Sequence, residues 1–440
     1  MMGVGSTPLA KPITQLDGGD FSGLNKRLSI VTPFEMTMVL TDAASSGLES
    51  FVHLVGDKRW RQRLGEIRDL AAAGPRASQA IRQRHVLELS LEKLRRQPAA
   101  RPSVTEALLE SIAREIALIA TDLTPRGRDR LVEQLRLGLS GQNTLIPVFH
   151  LIRSAMLQRS RGFTVSFPGM EQETPHDLLL TRDKVEAEVA CDVGTAEDGR
   201  GVHRGAWFRL ADRVDPDLQI WLAAHPGRYL LKMTLPDGLR GGLHESDPDS
   251  ETLANLHQRI RAMLATKLRQ DHDEAIVLRL DPLLLVGAQA EDMGLISSLR
   301  REFGPEAHLS VTSSGGGIFV MAARAARENE VAIAIRRRLA AIAPVRLTGE
   351  RPGILSMFVE DTDRMEWRGL RERLELEGEA RHFMTNPEAR PVVAVTFISR
   401  LELFGLGEPD AAPGGELRFR NPGHPAAGMA ALAPAVMSSV

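Results

Sequence analysis

Three short runs of alternating apolar and polar residues constrain the fold of this chain more than any other feature. They are FTVSF (163–167), HDLLLTR (176–182) and VEAEVACDV (185–193), with polar turns between them. Alternation with a period of two is typical of β-strands with one buried face, and short turns join antiparallel neighbours. The stretch therefore predicts a three-stranded meander.

Helical patterns lie on both sides of this meander. Before it, VTEALLESIAREIALIATDL, TPRGRDRLVEQLRLGL and TLIPVFHLIRSAMLQ carry apolar residues at helical spacing, and Thr124 followed by Pro125 is a helix start signal. After it, GAWFRLADRV and DLQIWLAAH predict a helix, and RYLLKMTL predicts a strand. The order helix, three strands, helix, strand predicts a mixed-sheet α/β core.

Composition shifts along the chain predict four parts. A lead-in rich in Gly, Ser and Thr and then a basic helical region occupy residues 1–101, and the helices and the α/β core occupy 102–285. A second set of helix and strand patterns predicts a C-terminal α/β domain over 286–404, with a hairpin turn at SSGGG (313–317). Gly, Pro and Ala dominate residues 405–440, which predicts a disordered tail around the short segment ELRFRNP.

The overall charge excludes a dedicated nucleic-acid coat protein. The net charge is −2 and the isoelectric point is about 6.7, so any contact with nucleic acid must be local. One local candidate is the basic stretch from Asp57 to Arg101, which reads either as a phosphate-facing stripe or as a solvated helix face. The sequence does not specify an oligomeric state.

Cysteine content and hydropathy indicate the compartment. Cys191 is the only cysteine, so no disulfide can form within the chain and no cysteine-based zinc site can be assembled. The N-terminus has no basic stretch followed by an apolar run, and no uninterrupted run of about eighteen apolar residues occurs. We therefore expect no membrane association and a reducing, cytoplasmic location.

The second and third strands carry the acidic residues with the clearest chemical interpretation. A two-residue turn at Arg182 and Asp183 would place Asp177 directly opposite Glu188. Directly opposed side chains have Cβ atoms about 5 Å apart, and Glu186 shares the face of Glu188 because it lies two residues earlier on the strand. A register shifted by one residue would move Glu188 to the other face.

Acids crowded in this way repel one another unless a cation lies between them. Oxygen ligands at this spacing suit Mg²⁺ or Mn²⁺, and such an ion could activate water for hydrolysis of a phosphodiester. Asp177 and Glu188 are then the predicted metal ligands, and Glu186 assists as a ligand or a base. The alternative is that these acids form the solvated face of an amphipathic hairpin, with the apolar residues between them facing inward.

These residues resemble the PD-(D/E)XK nuclease-like superfamily, also called restriction-endonuclease-like, over roughly residues 143–235. Its core is a helix, a three-strand meander, a helix and a strand, with an Asp on the second strand and a Glu-x-Lys on the third. Pro175 and Asp177 resemble the first part of the pattern, with His176 between them, and Glu188 resembles the Glu. The resemblance implies divalent-metal-dependent hydrolysis of DNA.

The chain departs from the pattern at the lysine, because the residue two positions after Glu188 is Ala190. Either Glu186-Ala187-Glu188 is a variant in which a Glu replaces the lysine, or the domain has lost catalysis and serves as a nucleic-acid- or protein-binding scaffold.

A segment downstream, GRGVHRGAWFRL, resembles one that follows the catalytic strand in some bacterial members of the superfamily. Arg200, His203 and Arg204 cluster there at a predicted helix start, where free N–H groups and cationic side chains suit a phosphate. The alternative is an exposed basic turn.

Overall fold

The fold is described from a computed structural model, which covers residues 44–72, 74–97, 101–242, 250–274, 276–282, 299 and 308–439. The predicted lead-in over residues 1–43 lies outside the described residues. The predicted helix LISSLRREF (295–303) also lies outside them except for Leu299.

Helices form most of the N-terminal part and alternate with strands thereafter. In chain order they are α1 (Ala44–Val55), α2 (Asp57–Leu70), α3 (Pro75–Arg84), α4 (Val86–Arg96), α5 (Val104–Asp122), α6 (Pro125–Gly138), α7 (Ile146–Ser160), α8 (Pro168–Glu171), α9 (Arg204–Ala224), α10 (Ser250–Thr266), α11 (Val331–Arg346), α12 (Arg364–Glu372), α13 (Glu375–Met384), α14 (Arg400–Leu403) and α15 (Ala433–Val436).

The strands alternate with helices after residue 160, and the first three coincide with the period-two runs of the predicted meander. They are β1 (Thr164–Ser166), β2 (Leu178–Arg182), β3 (Val185–Thr195), β4 (Arg228–Leu235), β5 (Gln270–His272), β6 (Val277–Pro282), β7 (His308–Ser314), β8 (Gly317–Ala325), β9 (Gly353–Glu360), β10 (Val392–Ser399) and β11 (Leu417–Arg420). Together with the helices they confirm the predicted α/β class.

Local start signals explain where two of the predicted helices begin. The Ser103 hydroxyl accepts from the N–H of Glu106, and the Glu106 carboxylate accepts from the N–H of Ser103, which completes a capping box for α5. The Thr124 hydroxyl accepts from the N–H of Gly127 at the start of α6, with Pro125 in the first turn. Both helix starts agree with the prediction.

The strands form two sheets. The first sheet has the order β1-β2-β3-β9-β10-β11, and the second has the order β5-β6-β4-β8-β7. In the first sheet β3, β9 and β10 run parallel, whereas β1 with β2, β2 with β3, and β10 with β11 are antiparallel. Strands β9 and β10 are buried almost throughout, which explains their continuous apolar sequences.

The pairing of the strands differs from the prediction. After β3 the chain leaves the first sheet, forms the second sheet from β4 to β8, and returns through α11 to β9. The predicted boundary near residue 285 is therefore wrong, because each sheet takes strands from both sides of it. The prediction that α9 and β4 complete the meander's sheet is also wrong.

The first sheet nevertheless has the order helix, meander, helix, strand, with different members. Helix α7 precedes the meander, and α11 and β9 supply the second helix and the fourth strand. One face of the sheet packs against the N-terminal helices through Leu178, Leu180 and Val189. The other face packs against α11 and α13 through residues such as Ala190.

The tail is ordered, so the predicted disorder is wrong for residues 405–439. Strand β11 extends the first sheet by pairing with β10, and Leu417 and Phe419 are buried. Ala435 and Val436 in α15 are fully buried. Helix α15 packs against β10 and β11, which composition alone does not show.

Within the described ranges, no helix combines the length and the apolar character that crossing a membrane requires.

Candidate functional site

The hairpin that carries the predicted carboxylates has a register different from the predicted one. Its two-residue turn is Asp183-Lys184, and both residues have positive φ (50° and 64°), as type I′ turns require. Arg182 therefore pairs with Val185, and Glu188 lies opposite Leu179. Moving the two-residue turn by one position shifts the pairing by two, so Glu188 stays on its predicted face.

Asp177 lies just before β2, and its side chain forms hydrogen bonds with β3 and with α11. Its carboxylate Oδ2 accepts from the backbone N–H of Cys191 at 2.7 Å and from Nη2 of Arg346 at 2.6 Å. Arg346, at the end of α11, also donates through Nε to the carbonyl of Pro175 at 2.7 Å. Burial raises the pKa of the Asp177 carboxyl, and the Arg346 guanidinium opposes that shift.

Glu188 is fully buried in β3. Its Oε2 accepts from the backbone N–H of Thr348 at 2.9 Å, and its Oε1 accepts from the Thr348 hydroxyl. Nη1 of Arg351 and Nδ1 of the buried His176 each lie 3.7 Å from Oε1. Both carboxylate oxygens are thus occupied by donors of the protein.

The remaining acids on this face of β3 are also paired with arginine. Glu186 accepts from Nε of Arg351 at 2.7 Å. At the other end of the strand, Asp192 accepts from Nε and Nη2 of Arg338 at 2.6 and 2.9 Å. We call the set Asp177, Glu186, Glu188, Asp192, Arg338, Arg346, Thr348 and Arg351 the carboxylate–arginine face.

The carboxylate–arginine face does not fit the predicted magnesium or manganese ion. In the part of the chain that the structure describes, no three His, Cys, Asp or Glu side chains converge as metal ligands. Arginine does not lose its proton in proteins, so Arg346 is a permanent cation at Asp177. Glu188 has no solvent-exposed surface at which to activate a water molecule.

The predicted phosphate ligands Arg200 and Arg204 are bound to acids, of which Glu197 is local and Glu366 and Asp363 are distant in sequence. Arg200 is buried, forms ion pairs with Glu197 and Glu366, and donates to the carbonyl of Asp361 at 2.8 Å. Burial lowers the pKa of Arg200, but these carboxylates outweigh it and raise that pKa. Nη2 of Arg204 lies 3.0 Å from Oε2 of Glu366 and 2.9 Å from Oδ2 of Asp363.

His203, the third predicted phosphate ligand, is half-buried before the first turn of α9. Its backbone N–H donates to the carbonyl of Leu239 at 2.8 Å. The glycines of the same segment allow close packing, since a Cβ at Gly201 would lie 2.3 Å from Cβ of Ala325. The structure therefore gives GRGVHRG a role in joining the two sheets.

Three arginines of the N-terminal basic stretch are used inside the molecule. They donate to carbonyls of the loop between α6 and α7, with Arg59 bound to Leu139, Arg63 to Gly141 and Asn143, and Arg84 to Gln142. These bonds satisfy carbonyls at and after the end of α6. They also give each of these three guanidinium groups a partner within the protein.

A cleft of about 500 Å³ lies at the carboxyl ends of the parallel strands β3 and β9. Its lining includes Glu197 and Asp198, which follow β3, and Glu360 and Asp361, which end and follow β9. Ligands of α/β sheets commonly bind at such strand ends. The sequence signal was present as acids directly after two buried strands (TAED and VED), but the adjacency of those strands was not predicted.

Known proteins give no further guide to the site, because the chain matches no protein-family model, no curated protein and no solved structure.

Proposed function

We propose that this chain is a divergent PD-(D/E)XK-like protein whose sheet serves as a binding scaffold and not as a hydrolase. The observation that carries the proposal is the occupancy of the predicted catalytic carboxylates by protein donors: Arg346 holds Asp177, and Thr348 holds both oxygens of Glu188. Hydrolysis by the predicted mechanism needs those oxygens for a cation or a water molecule.

The order of elements supports the family assignment. Helix α7, the meander β1–β3, helix α11 and strand β9 follow the order that the resemblance implies. Fold alone does not establish activity, so whether the protein is a hydrolase must be judged from the residues at the site.

The residues beside Asp177 support the loss of catalysis. The Asp177 carboxylate accepts from the backbone N–H of Cys191 in β3, so Ala190 and Asp192 are the residues on either side of that contact. The family pattern has a Glu and a Lys two residues apart on this strand, and Ala190 and Asp192 are neither. Counting from Glu188 also gives Ala190 where the lysine belongs.

We propose a protein partner in preference to a nucleic acid. Arg200 and Arg204 are neutralised by Glu197, Glu366 and Asp363, so they do not present free charge to a phosphate backbone. The carboxylate–arginine face likewise pairs its cations with acids.

We further propose that the protein works in a reducing cytoplasm. Its single cysteine, Cys191, lies in β3, and burial raises the pKa of its thiol well above the ordinary value. Such a thiol is a poor nucleophile and a poor candidate for a disulfide.

A plasmid-nicking assay tests the loss of catalysis. The purified chain with Mg²⁺ or Mn²⁺ should nick supercoiled DNA no faster than Asp177→Ala, and Asp273→Ala serves as a matched acidic control outside the first sheet. Nicking by the wild type and by Asp273→Ala that disappears in Asp177→Ala would establish the hydrolase instead.

Fluorescence anisotropy with labelled duplex DNA tests the choice of partner. We expect no saturable binding at 50 mM salt. Binding that weakens steeply with added salt, as released counterions require, would make nucleic acid the partner.

A further inference from the structure

The cleft at the carboxyl ends of β3 and β9 differs from the carboxylate–arginine face in how its charges are satisfied. Four carboxylates (Glu197, Asp198, Glu360 and Asp361) and two arginines (Arg84 and Arg338) line it.

The two arginines have partners outside the group of cleft acids. Arg338 is bound by two hydrogen bonds to Asp192. Arg84 donates through Nη2 to the carbonyl of Gln142 at 3.1 Å, and its Nη1 lies 3.7 Å from Oδ1 of Asp361. Neither guanidinium makes a short ion pair with an acid of the cleft.

The acids at the end of β9 retain unused acceptor capacity. Oε1 of Glu360 accepts from the Thr144 hydroxyl at 3.2 Å, and Oε2 has no hydrogen-bond donor among the described residues. One oxygen of Asp361 accepts from the Thr195 hydroxyl at 2.7 Å, whereas Oδ1 has only the long contact with Arg84. Burial and the charge of Asp361 raise the pKa of Glu360.

Asp198, which also lines the cleft, is a further acid with unused acceptor oxygens. Its side chain is exposed, and no donor in the described ranges forms a hydrogen bond with it. Glu197 is different, because Arg200 and the backbone N–H of Arg204 bind its two oxygens. Three carboxylates of the cleft therefore have oxygen atoms available to a ligand.

We propose that this cleft binds a small organic cation, with an ammonium or guanidinium group held by Glu360, Asp361 and Asp198. An ammonium group brings three N–H donors and a guanidinium five, which can satisfy acceptors that the protein leaves open. A volume of about 500 Å³ accommodates a molecule of metabolite size. A single metal ion fits less well, because the described acids here do not converge as a metal-ligand group.

Isothermal titration calorimetry of the full chain with agmatine, which carries both cationic groups, tests the proposal at low ionic strength. We expect saturable binding of one molecule by the wild type. Glu360→Gln, a near-isosteric change, and Asp198→Asn, a change at an exposed position, should each weaken it at least about tenfold. Glu350→Gln, an exposed acid beyond the other end of β3, should leave it unchanged.

Three results would overturn the proposal. The first is the absence of saturable agmatine binding by the wild type. The second is unchanged affinity in Asp198→Asn together with unchanged affinity in Glu360→Gln, whose fold is checked by circular dichroism. The third is saturable binding of inorganic phosphate that is lost in Arg84→Gln, since the cleft would then recognise an anion.

Discussion

The two ends of strand β3 present acids in contrasting ways. Toward its beginning, Glu186 and Glu188 meet Arg351 and Thr348, and each carboxylate has a donor from the protein. Beyond its carboxyl end, the cleft contains acids with open oxygens, as in Glu360 at the end of the adjacent strand. A row of acids therefore identifies a candidate ligand site only after their partners are known.

Burial does not distinguish the two regions. It raises the pKa of Asp177 at the carboxylate–arginine face, and it raises the pKa of Glu197 and Glu360 at the cleft. The two regions differ in the hydrogen-bond donors that reach their carboxylates. Those donors are brought there by the packing of α11 on β3 and by the pairing of β9 with β3.

The largest effect is expected for Glu188→Ala. Removing a fully buried carboxylate leaves the N–H and the hydroxyl of Thr348 without an acceptor, so the free energy of unfolding should fall by about 3 to 5 kcal/mol. Urea titration at pH 7 measures it, and Glu350→Ala at an exposed position should change stability by less than about 0.5 kcal/mol. Unchanged or increased stability in Glu188→Ala is instead expected of a metal ligand that repels other acids.

The second prediction concerns His150 in α7, which packs on the opposite face of the first sheet from the carboxylate–arginine face. Its Nε2 contacts the carbonyl of Ser356 at 2.9 Å, and burial lowers the pKa of its imidazole from 6.5 to about 4. The unfolded chain therefore takes up a proton at higher pH than the folded one. The contribution of His150 to the free energy of unfolding should be fully present above pH 6.5. It should fall by about 3 kcal/mol as the pH drops from 6.5 to 4.

His150→Gln should remove this part of the pH dependence, measured by urea titrations from pH 7 to pH 4. An equally steep loss of stability in the variant would show that other groups cause it.

A double-mutant cycle on Asp177 and Arg346 should give an intermediate effect. Asp177→Asn and Arg346→Gln are expected to show a coupling of about 1 to 2 kcal/mol, because the pair is partly buried and hydrogen-bonded. The exposed pair of Arg337, in the same helix, and Glu330, just before its first turn, is the control, with a coupling near zero. Equal coupling in both pairs would remove the distinction between the carboxylate–arginine face and an ordinary surface.

The smallest effect, and one of opposite sign, is expected for Glu360→Gln at the cleft. Because the pKa of Glu360 is raised in the folded protein, its ionised form costs stability above that pKa and costs nothing below the unfolded value of 4.5. The variant should be more stable than the wild type at pH 7 and equal to it at pH 4 in urea titrations. A loss of stability at pH 7 would mean that the open oxygen has an essential partner.

The positions of most elements before residue 405 could be predicted from the sequence because they depend on local periodicity. Strands β4 and β7 have the bounds that their apolar runs indicated, and the turn at Gly315 and Gly316 forms the expected hairpin with positive φ. Which strands pair could not be predicted. Residues 196–352 separate β3 from its parallel neighbour β9, and no local pattern marks such a return.

The candidate site shows the same division between local and distant information. The shared face of Glu186 and Glu188 follows from local alternation. The turn at Asp183-Lys184 lacks the Asn-Gly or Asp-Gly signal that identifies a type I′ turn, so its register was not evident. Arg346 lies 169 residues from Asp177, and Glu366 lies 166 residues from Arg200, which is why these pairings were not found.

Binding of Mn²⁺ measured by electron paramagnetic resonance tests most directly whether arginine and threonine have replaced a metal at Asp177 and Glu188. Titration curves of the wild type and Asp177→Asn should coincide, because Arg346 already holds that carboxylate. A stoichiometric Mn²⁺ site in the wild type that disappears in Asp177→Asn would contradict this and restore the metal-dependent hydrolase.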